Sequence, residues 1–212
     1  MRIVRPPMFS FSRIYHFVKG PNPLHPAVWE GRLSGMAFRR FEAGDLPSCV
    51  ELYALNERGR FPDGIMEQYR NSLAAQKSYY LVCEKDGRIV ASGGVSYWIR
   101  EDMAVLCFGL VHPDFQGRGI GTALLLARLA LLNPSRATYR VLIFGVERAI
   151  KFYRRCGFQD FTPWQDPNGG KHPSGYLVLT GREIRRCRAL LQAHQISIPQ
   201  DEGRVPFRTS PT

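Results

Sequence analysis

The sequence predicts an α+β fold, and three observations carry that prediction. Residues 104–111 form an apolar run that passes through a glycine-rich turn, Gln116 to Gly121, into a second apolar run at 123–132. That pattern reads as a buried strand, a loop and a buried helix. Asp86-Gly87 lies between two strand-like stretches, 78–84 and 88–99, and is a strong hairpin signal. Further on, Ala149, Ile150, Tyr153 and Cys156 share one helical face, and Gly157 is placed to stop that helix before Phe158 starts another strand.

The remaining elements follow in order along the chain. Residues 1–35 are rich in Pro, Arg and aromatics and show no period. They read as a docked arm, a disordered extension, a mis-assigned start or an organelle transit peptide, and not as a secretory signal, which needs a continuous apolar centre. Residues 36–41 alternate as a first strand. Ala43-Gly44-Asp45 then opens a helix through residue 55, with Asp45 as its N-cap. Residues 59–64 break that helix, and 65–75 make a second one. Glu101-Asp102 turns the hairpin into the strand that ends at Val111. Residues 140–146 make a strand after the glycine-turn helix. Residues 170–174 link the last two strands, the final one spanning 175–180. Residues 183–194 are helical, with Ile184, Cys187, Leu190 and Leu191 on one face. This helix docks either on the domain or on a second subunit of a homodimer. Residues 197–212 read as a loose tail. The division expected is an extension at 1–35, a domain at 36–181, and a helix and tail at 182–212.

Bulk properties narrow the function classes. The chain has 212 residues, enough for one ordinary domain with a real core. No run approaches the roughly 18 apolar residues of a membrane span, and Arg128 interrupts the longest candidate, so no membrane partner is expected. The 5 cysteines are scattered without a C-x-x-C pair. That argues against a disulfide framework and against a metal site, and for a reducing, cytoplasmic location. Cys83, Cys107 and Cys156 sit in apolar contexts as small buried hydrophobes. The formal net charge of +11 is concentrated near the chain ends. It reads either as solvated arginine-rich surface or as attraction to polyanions. No RNA-recognition motif accompanies it, so nucleic acid is not expected as the main partner.

The chemistry is in the glycine turn. Glycines let backbone approach a ligand closely, and the free N–H groups of a helix start converge on one spot with the positive end of the helix dipole; together these make a phosphate site. A Walker A loop is excluded because Arg118-Gly119 stands where Lys and Ser or Thr are needed. A dinucleotide fingerprint is excluded because the spacing is G-x-G-x-G and no acid lies in residues 133–139.

Gln116, Gly119 and Gly121 instead fill the Q/R-x-x-G-x-G/A acyl-CoA loop of the GNAT acetyltransferase superfamily, which this chain resembles. Val111-His112-Pro113 also looks like that family. Ala149, Tyr153, Gly157 and Phe158 resemble its second segment, although Val146 stands where an Asn is usual. The resemblance covers roughly residues 36–180, with sharp motifs at 110–125 and 149–158. It implies a layered α/β/α fold whose mixed, mostly antiparallel sheet has splayed fourth and fifth strands and helices on both faces.

The resemblance also implies direct acetyl transfer from acetyl-CoA to an amine, a small molecule or a protein, in a ternary complex. The backbone N–H groups of Gln116, Gly117, Arg118, Gly119, Ile120, Gly121 and Thr122 would hold the pyrophosphate, and Leu110 and Val111 would hydrogen-bond pantetheine. Arg118 adds a phosphate contact or stays solvated. A phenol titrates near 10 and a thiol near 8.5, so Tyr153 would arrive protonated and serve as acid to the CoA sulfur. The base is left open among His112, Glu57, Asp63 and relayed water, because residues 104–111 carry no carboxylate. Trp98, Phe161 and Trp164 line the substrate entrance or form the edge of the core. Rival readings are a non-catalytic acyl-CoA sensor and a ribosome- or RNA-associated acetyltransferase.

Overall fold

The computed structural model describes residues 36–57, 64–98, 100–144, 147–165, 171–200 and 205–208. Expectations that fall on residues 1–35, on Asp63, on Val146 or on the Trp164 side chain lie outside what it describes.

The strands are β1 (Phe38–Arg40), β2 (Tyr79–Lys85), β3 (Arg88–Trp98), β4 (Arg100–Val111), β5 (Thr138–Phe144), β6 (Gln159–Gln165), β7 (Lys171–Thr180) and β8 (Phe207–Arg208). The helices are α1 (Leu46–Glu57), α2 (Ile65–Ala74), α3 (Ile120–Ala130), α4 (Glu147–Arg155) and α5 (Gly181–Ala193). They build one sheet in the order β1-β2-β3-β4-β5-β7-β6, with β8 added against β3. Neighbours are antiparallel except β4–β5 and β3–β8. The mixed, mostly antiparallel sheet implied by the resemblance is therefore present.

Two helical layers cover the sheet, which is why β3 is buried along nearly its whole length instead of alternating. α1 and α2 pack one face through Cys49, Leu52, Tyr53, Tyr69 and Leu73. α3 and α5 pack the other through Leu124, Leu125, Ile184, Cys187 and Leu191. α3 is buried on almost every side because the sheet lies on one flank and α5 on the other.

Local chemistry explains the element ends. Asp86 and Gly87 both have positive φ, 52° and 73°, as a two-residue hairpin of matching twist requires. α4 stops at Gly157, φ +87°, with Phe158 N–H donating to Tyr153 C=O and Gly157 N–H to Arg154 C=O.

Several expectations are corrected. Asp45 is not the N-cap of α1. It ends a 3-10 turn, Ala43–Asp45, whose cap is Glu42, and its carboxylate accepts from Glu42 N–H and from Arg39. Glu101 and Asp102 are not a turn but the start of β4, because the β3–β4 connection is tighter than the polar pair suggests. Residues 171–174 belong to β7, paired with β6, although Pro163 and Pro173 face each other there. The described residues of the segment that begins at Ser197, 197–200 and 205–208, are not a loose tail. Ser197 N–H donates to Met36 C=O, Phe38 N–H donates to Ser197 C=O, Val205 is buried, and β8 pairs with β3. α5 docks on α3 of its own chain, and Arg188 donates to the carbonyls of Ala130 and Leu132, which α3 leaves unpaired at its C-terminus.

Candidate functional site

The site is built where β4 parts from β5. Their parallel pairing runs from Met103↔Arg140 to Leu106↔Ile143, and among the described residues it ends there. β4 continues to Val111 beside β3 alone. At about 3.3 Å per residue, Cys107 to Val111 leaves an unpaired edge of about 16 Å.

A bulge sits on that edge. Ser92 pairs with Leu110 and Gly94 with Cys107, so Phe108 and Gly109 together oppose Gly93. Phe108 has φ +45°, which reverses the inside–outside alternation of the strand. Leu106 faces the α3 side, whereas Leu110 is buried against the α1–α2 side. His112 N–H donates to Val90 C=O, so by alternation the polar groups of Val111 point to the open edge.

The glycine turn closes the same end. Pro113–Phe115 forms a 3-10 turn capped by His112, whose Nδ1 accepts from Asp114 N–H at 3.2 Å. The side-chain amide of Gln116 donates to Val111 C=O at 3.0 Å and to Asn56 Oδ1 at 3.2 Å, which fastens the loop to β4 and α1. Gly117 and Gly119 have φ +74° and +85°, and Gly119 is the N-cap of α3. A Cβ on Gly121 would meet Val111 at 3.8 Å and Phe152 at 3.9 Å, ordinary contacts that put α4 beside the start of α3.

The set of expected phosphate donors is smaller than the sequence suggested. Gln116 N–H donates to Pro113 C=O and Thr122 N–H to Gly119 C=O. The amides of Gly117, Arg118, Gly119, Ile120 and Gly121 have no partner among the described residues. Arg118 is exposed and stacks on Phe115 at 5.4 Å, and Lys85 lies over the same ring at 5.8 Å. A nest of free amides at a helix start, ringed by cations, is suited to a phosphate group.

The other candidates separate. Tyr153 is half-buried between Phe152 and Phe158, each at 5.1 Å edge to face, and its hydroxyl has no hydrogen bond among the described residues. His112 spends one ring nitrogen on its cap. Glu57 ends α1, half-buried. Trp98 lies edge-on to Phe144 of β5 at 5.8 Å. Phe161 covers Gly175 and carries the Arg154 guanidinium at 5.1 Å, so it belongs to the core edge and not to an entrance. Burial pushes the thiols of Cys49 and Cys83 up to about 11 and those of Cys156 and Cys187 up to about 12, which removes them as nucleophiles at neutral pH.

Sequence reasoning missed Asn56 and Arg128. Nothing near Asn56 marks it, because its partner Gln116 is distant in the chain. Arg128 did carry a signal, a charge inside an apolar helix, and it is 2 % exposed. Among the described residues no group of His, Cys, Asp or Glu is placed to hold a metal ion, and no helix is long and apolar enough to cross a membrane.

Residues 76–160 match the family model of the Acetyltransferase (GNAT) domain. An uncharacterized N-acetyltransferase of Methanocaldococcus jannaschii is 35% identical over 88 residues, 38% of this chain and 39% of that one, so the match spans about two fifths of the relative's length. A GNAT-family acetyltransferase of Staphylococcus aureus Mu50 superposes with a TM-score of 0.55 at 13% identity, covering 69% of this chain and 100% of that structure. A GNAT-family acetyltransferase of Brucella melitensis, solved in complex with acetyl-CoA, superposes with a TM-score of 0.52 at 23% identity, covering 68% and 87%. At these identities the structural likeness concerns the fold.

Proposed function

We propose that this chain, whose residues 76–160 match the GNAT acetyltransferase domain, transfers an acetyl group from acetyl-CoA to a primary amine, on a small molecule or a protein, by direct attack in a ternary complex. One observation carries the reading: among the described residues the β4–β5 pairing stops at Leu106, and the edge so freed ends at five loop amides without a partner. Diphosphate suits the amides of Gly117 to Gly121, with Arg118 and Lys85 adding positive charge beside them. The pantetheine arm, a chain of two amide units, suits the unpaired edge through the Val111 N–H, whereas Leu110, its neighbour by alternation, directs its polar groups to β3. Tyr153, on the helix beside the loop, is the acid for the departing sulfur. The site lies on a fold with no membrane-spanning helix among its described residues, and a cytoplasmic location fits the free cysteines, of which Cys49, Cys83, Cys156 and Cys187 are buried.

Holding amine and thioester in contact supplies most of the rate in such a scheme. No carboxylate lies on β4 at 104–111 and one ring nitrogen of His112 is spent as a cap, so relayed water takes the amine's proton in this scheme, with Glu57, Asp63 and the second His112 nitrogen as the alternatives.

The test is calorimetric titration of acetyl-CoA, followed by thiol release with a panel of primary amines. Binding and amine-dependent thiol release are expected. Replacing Tyr153 by Phe should lower turnover about 100-fold while acetyl-CoA affinity stays within about twofold. Binding without turnover on any amine would make the chain an acyl-CoA sensor. Absence of binding would overturn the proposal.

A further inference from the structure

Arg128 stands in the last turn of α3 with its side chain turned under the sheet. It is among the largest fully buried side chains of the molecule. Its Nε donates to Leu124 C=O at 3.3 Å, and Nη1 is buried with no partner among the described residues. Two glycines make its room. A Cβ on Gly93 would lie 3.2 Å from Nη1, and a Cβ on Gly109 would lie 3.1 Å from Nη2 and 3.2 Å from Nη1. These residues oppose each other in the β4 bulge, and Gly109 itself is exposed on the open side. The guanidinium therefore lies behind the bulge, about 10 Å along β4 from Leu106, where the gap closes.

Among the described residues, no acid is paired with this charge. α3 and β3 contain no carboxylate, and those of β4 are at its far end, Glu101 and Asp102. On α5, Glu183 is engaged with Thr180 in a capping box. The other titratable side chains on these elements are likewise placed elsewhere: Cys107 lies on the opposite face at Ser78, the Tyr97 hydroxyl accepts from Asn133 N–H, Cys187 is buried under α5, and Asp114 is exposed beside His112. A buried ion without a counter-charge and with part of its donor set unpaired is unfavourable for folding alone. Its retention beside a reaction cleft is explained if the field it casts is used there.

We propose that Arg128 is an electrostatic positioning residue, resting on the acetyl-CoA reading above: its uncompensated guanidinium stabilises negative charge at the sulfur and carbonyl oxygen of a thioester at the closed end of the gap. In the reaction, the amine nitrogen bonds to the thioester carbon and the carbonyl pair moves to oxygen. That pair then returns as the C–S bond breaks, the sulfur keeps its bonding pair, and the nitrogen's proton passes to solvent. Negative charge appears first on oxygen and then on sulfur, and both lie in the same field. The same field opposes an ammonium in the cleft, so it favours the neutral, nucleophilic amine where β4 offers no carboxylate base.

The experiment uses coenzyme A itself and needs no acceptor. The full chain and its R128K, R128M and R128Q forms are checked for fold by circular dichroism. Each complex with coenzyme A is then titrated by thiolate absorbance, with desulfo-coenzyme A as the blank. A unit charge about 12 Å away at an effective dielectric of about 20 changes an acid constant about tenfold. The bound thiol is expected to be about tenfold more acidic in the parent and in R128K than in R128M or R128Q. Equal acidity in the folded parent and a folded neutral variant would overturn the proposal. Failure of the parent to bind coenzyme A would instead remove the reading on which it rests.

Discussion

The two halves of β4 share one strand and behave as different structures. From Ala104 to Leu106 it is paired on both edges, to β3 and to β5, and its side chains Ala104 and Leu106 lie in the α3-side core. From Cys107 to Val111 it is paired on one edge only, carries a bulge at Phe108-Gly109, and ends beside a loop of free amides. The first half holds the fold together. The second half leaves hydrogen-bonding groups unpaired, an arrangement that is costly unless water or a ligand completes it. The lesson is that the proposed site arises where a sheet pairing ends early.

Proline substitution separates the halves most sharply. Val105→Pro removes a donor from the doubly paired segment and should cost at least about 3 kcal/mol, lowering the melting temperature by about 6–12 °C. Val111→Pro removes a donor that faces the open edge. It should leave the melting temperature within about 3 °C, a change of no more than about 1 kcal/mol, while weakening acetyl-CoA about tenfold. Equal losses of stability from the two changes would dissolve the distinction.

Gly119→Val sharpens the claim for the loop. A β-branched residue at φ +85° is strained by about 1–3 kcal/mol, and its side chain stands where the amides converge. Acetyl-CoA affinity should fall about 100-fold with the fold retained by circular dichroism. Affinity unchanged in the folded variant would place the ligand elsewhere.

The smallest effect is expected at the far edge of the sheet. There Arg39 donates to Asp45 at 2.7 Å and to Glu84 at 3.3 Å, and the hydrogen bonds from Arg39 hold the Asp45 carboxyl below its usual range. A carboxyl whose folded value is depressed stabilises fully above its unfolded value, near 3.9, and loses that contribution as pH falls through the lower folded value. Arg39 is 40% exposed, so the contribution is under about 1 kcal/mol. Asp45→Asn should leave acetyl-CoA binding unchanged and flatten only the part of the stability profile below pH about 4.

What the sequence made legible is what short-range pattern encodes. Gly117, Gly119 and Gly121 stand in a fixed spacing between a strand and a helix, and Asp86-Gly87 announces its hairpin because both residues accept positive φ. Gly157 ends α4 for the same reason. The rest depends on contacts between distant segments. Asn56 and Gln116 meet only after α1 folds over the end of β4. Ser197, Val205 and β8 have no strong local signal, and their order comes from partners at Met36, Phe38 and β3. Arg128 reads locally as a flaw in an apolar helix; its setting is supplied by Gly93 and Gly109 on two other elements. Asp45 had the right residue type for a cap, but Arg39 and Glu42 claim its carboxylate.

The most direct measurement is amide hydrogen exchange of the full chain with and without acetyl-CoA. Residues 103–106 should exchange slowly in both states, because their donors are already in the sheet. Residues 107–111 and 117–121 should gain protection on adding acetyl-CoA. Protection confined to other segments, or none in these two at a saturating concentration, would contradict the assignment of the open half of β4 as the acyl-CoA site.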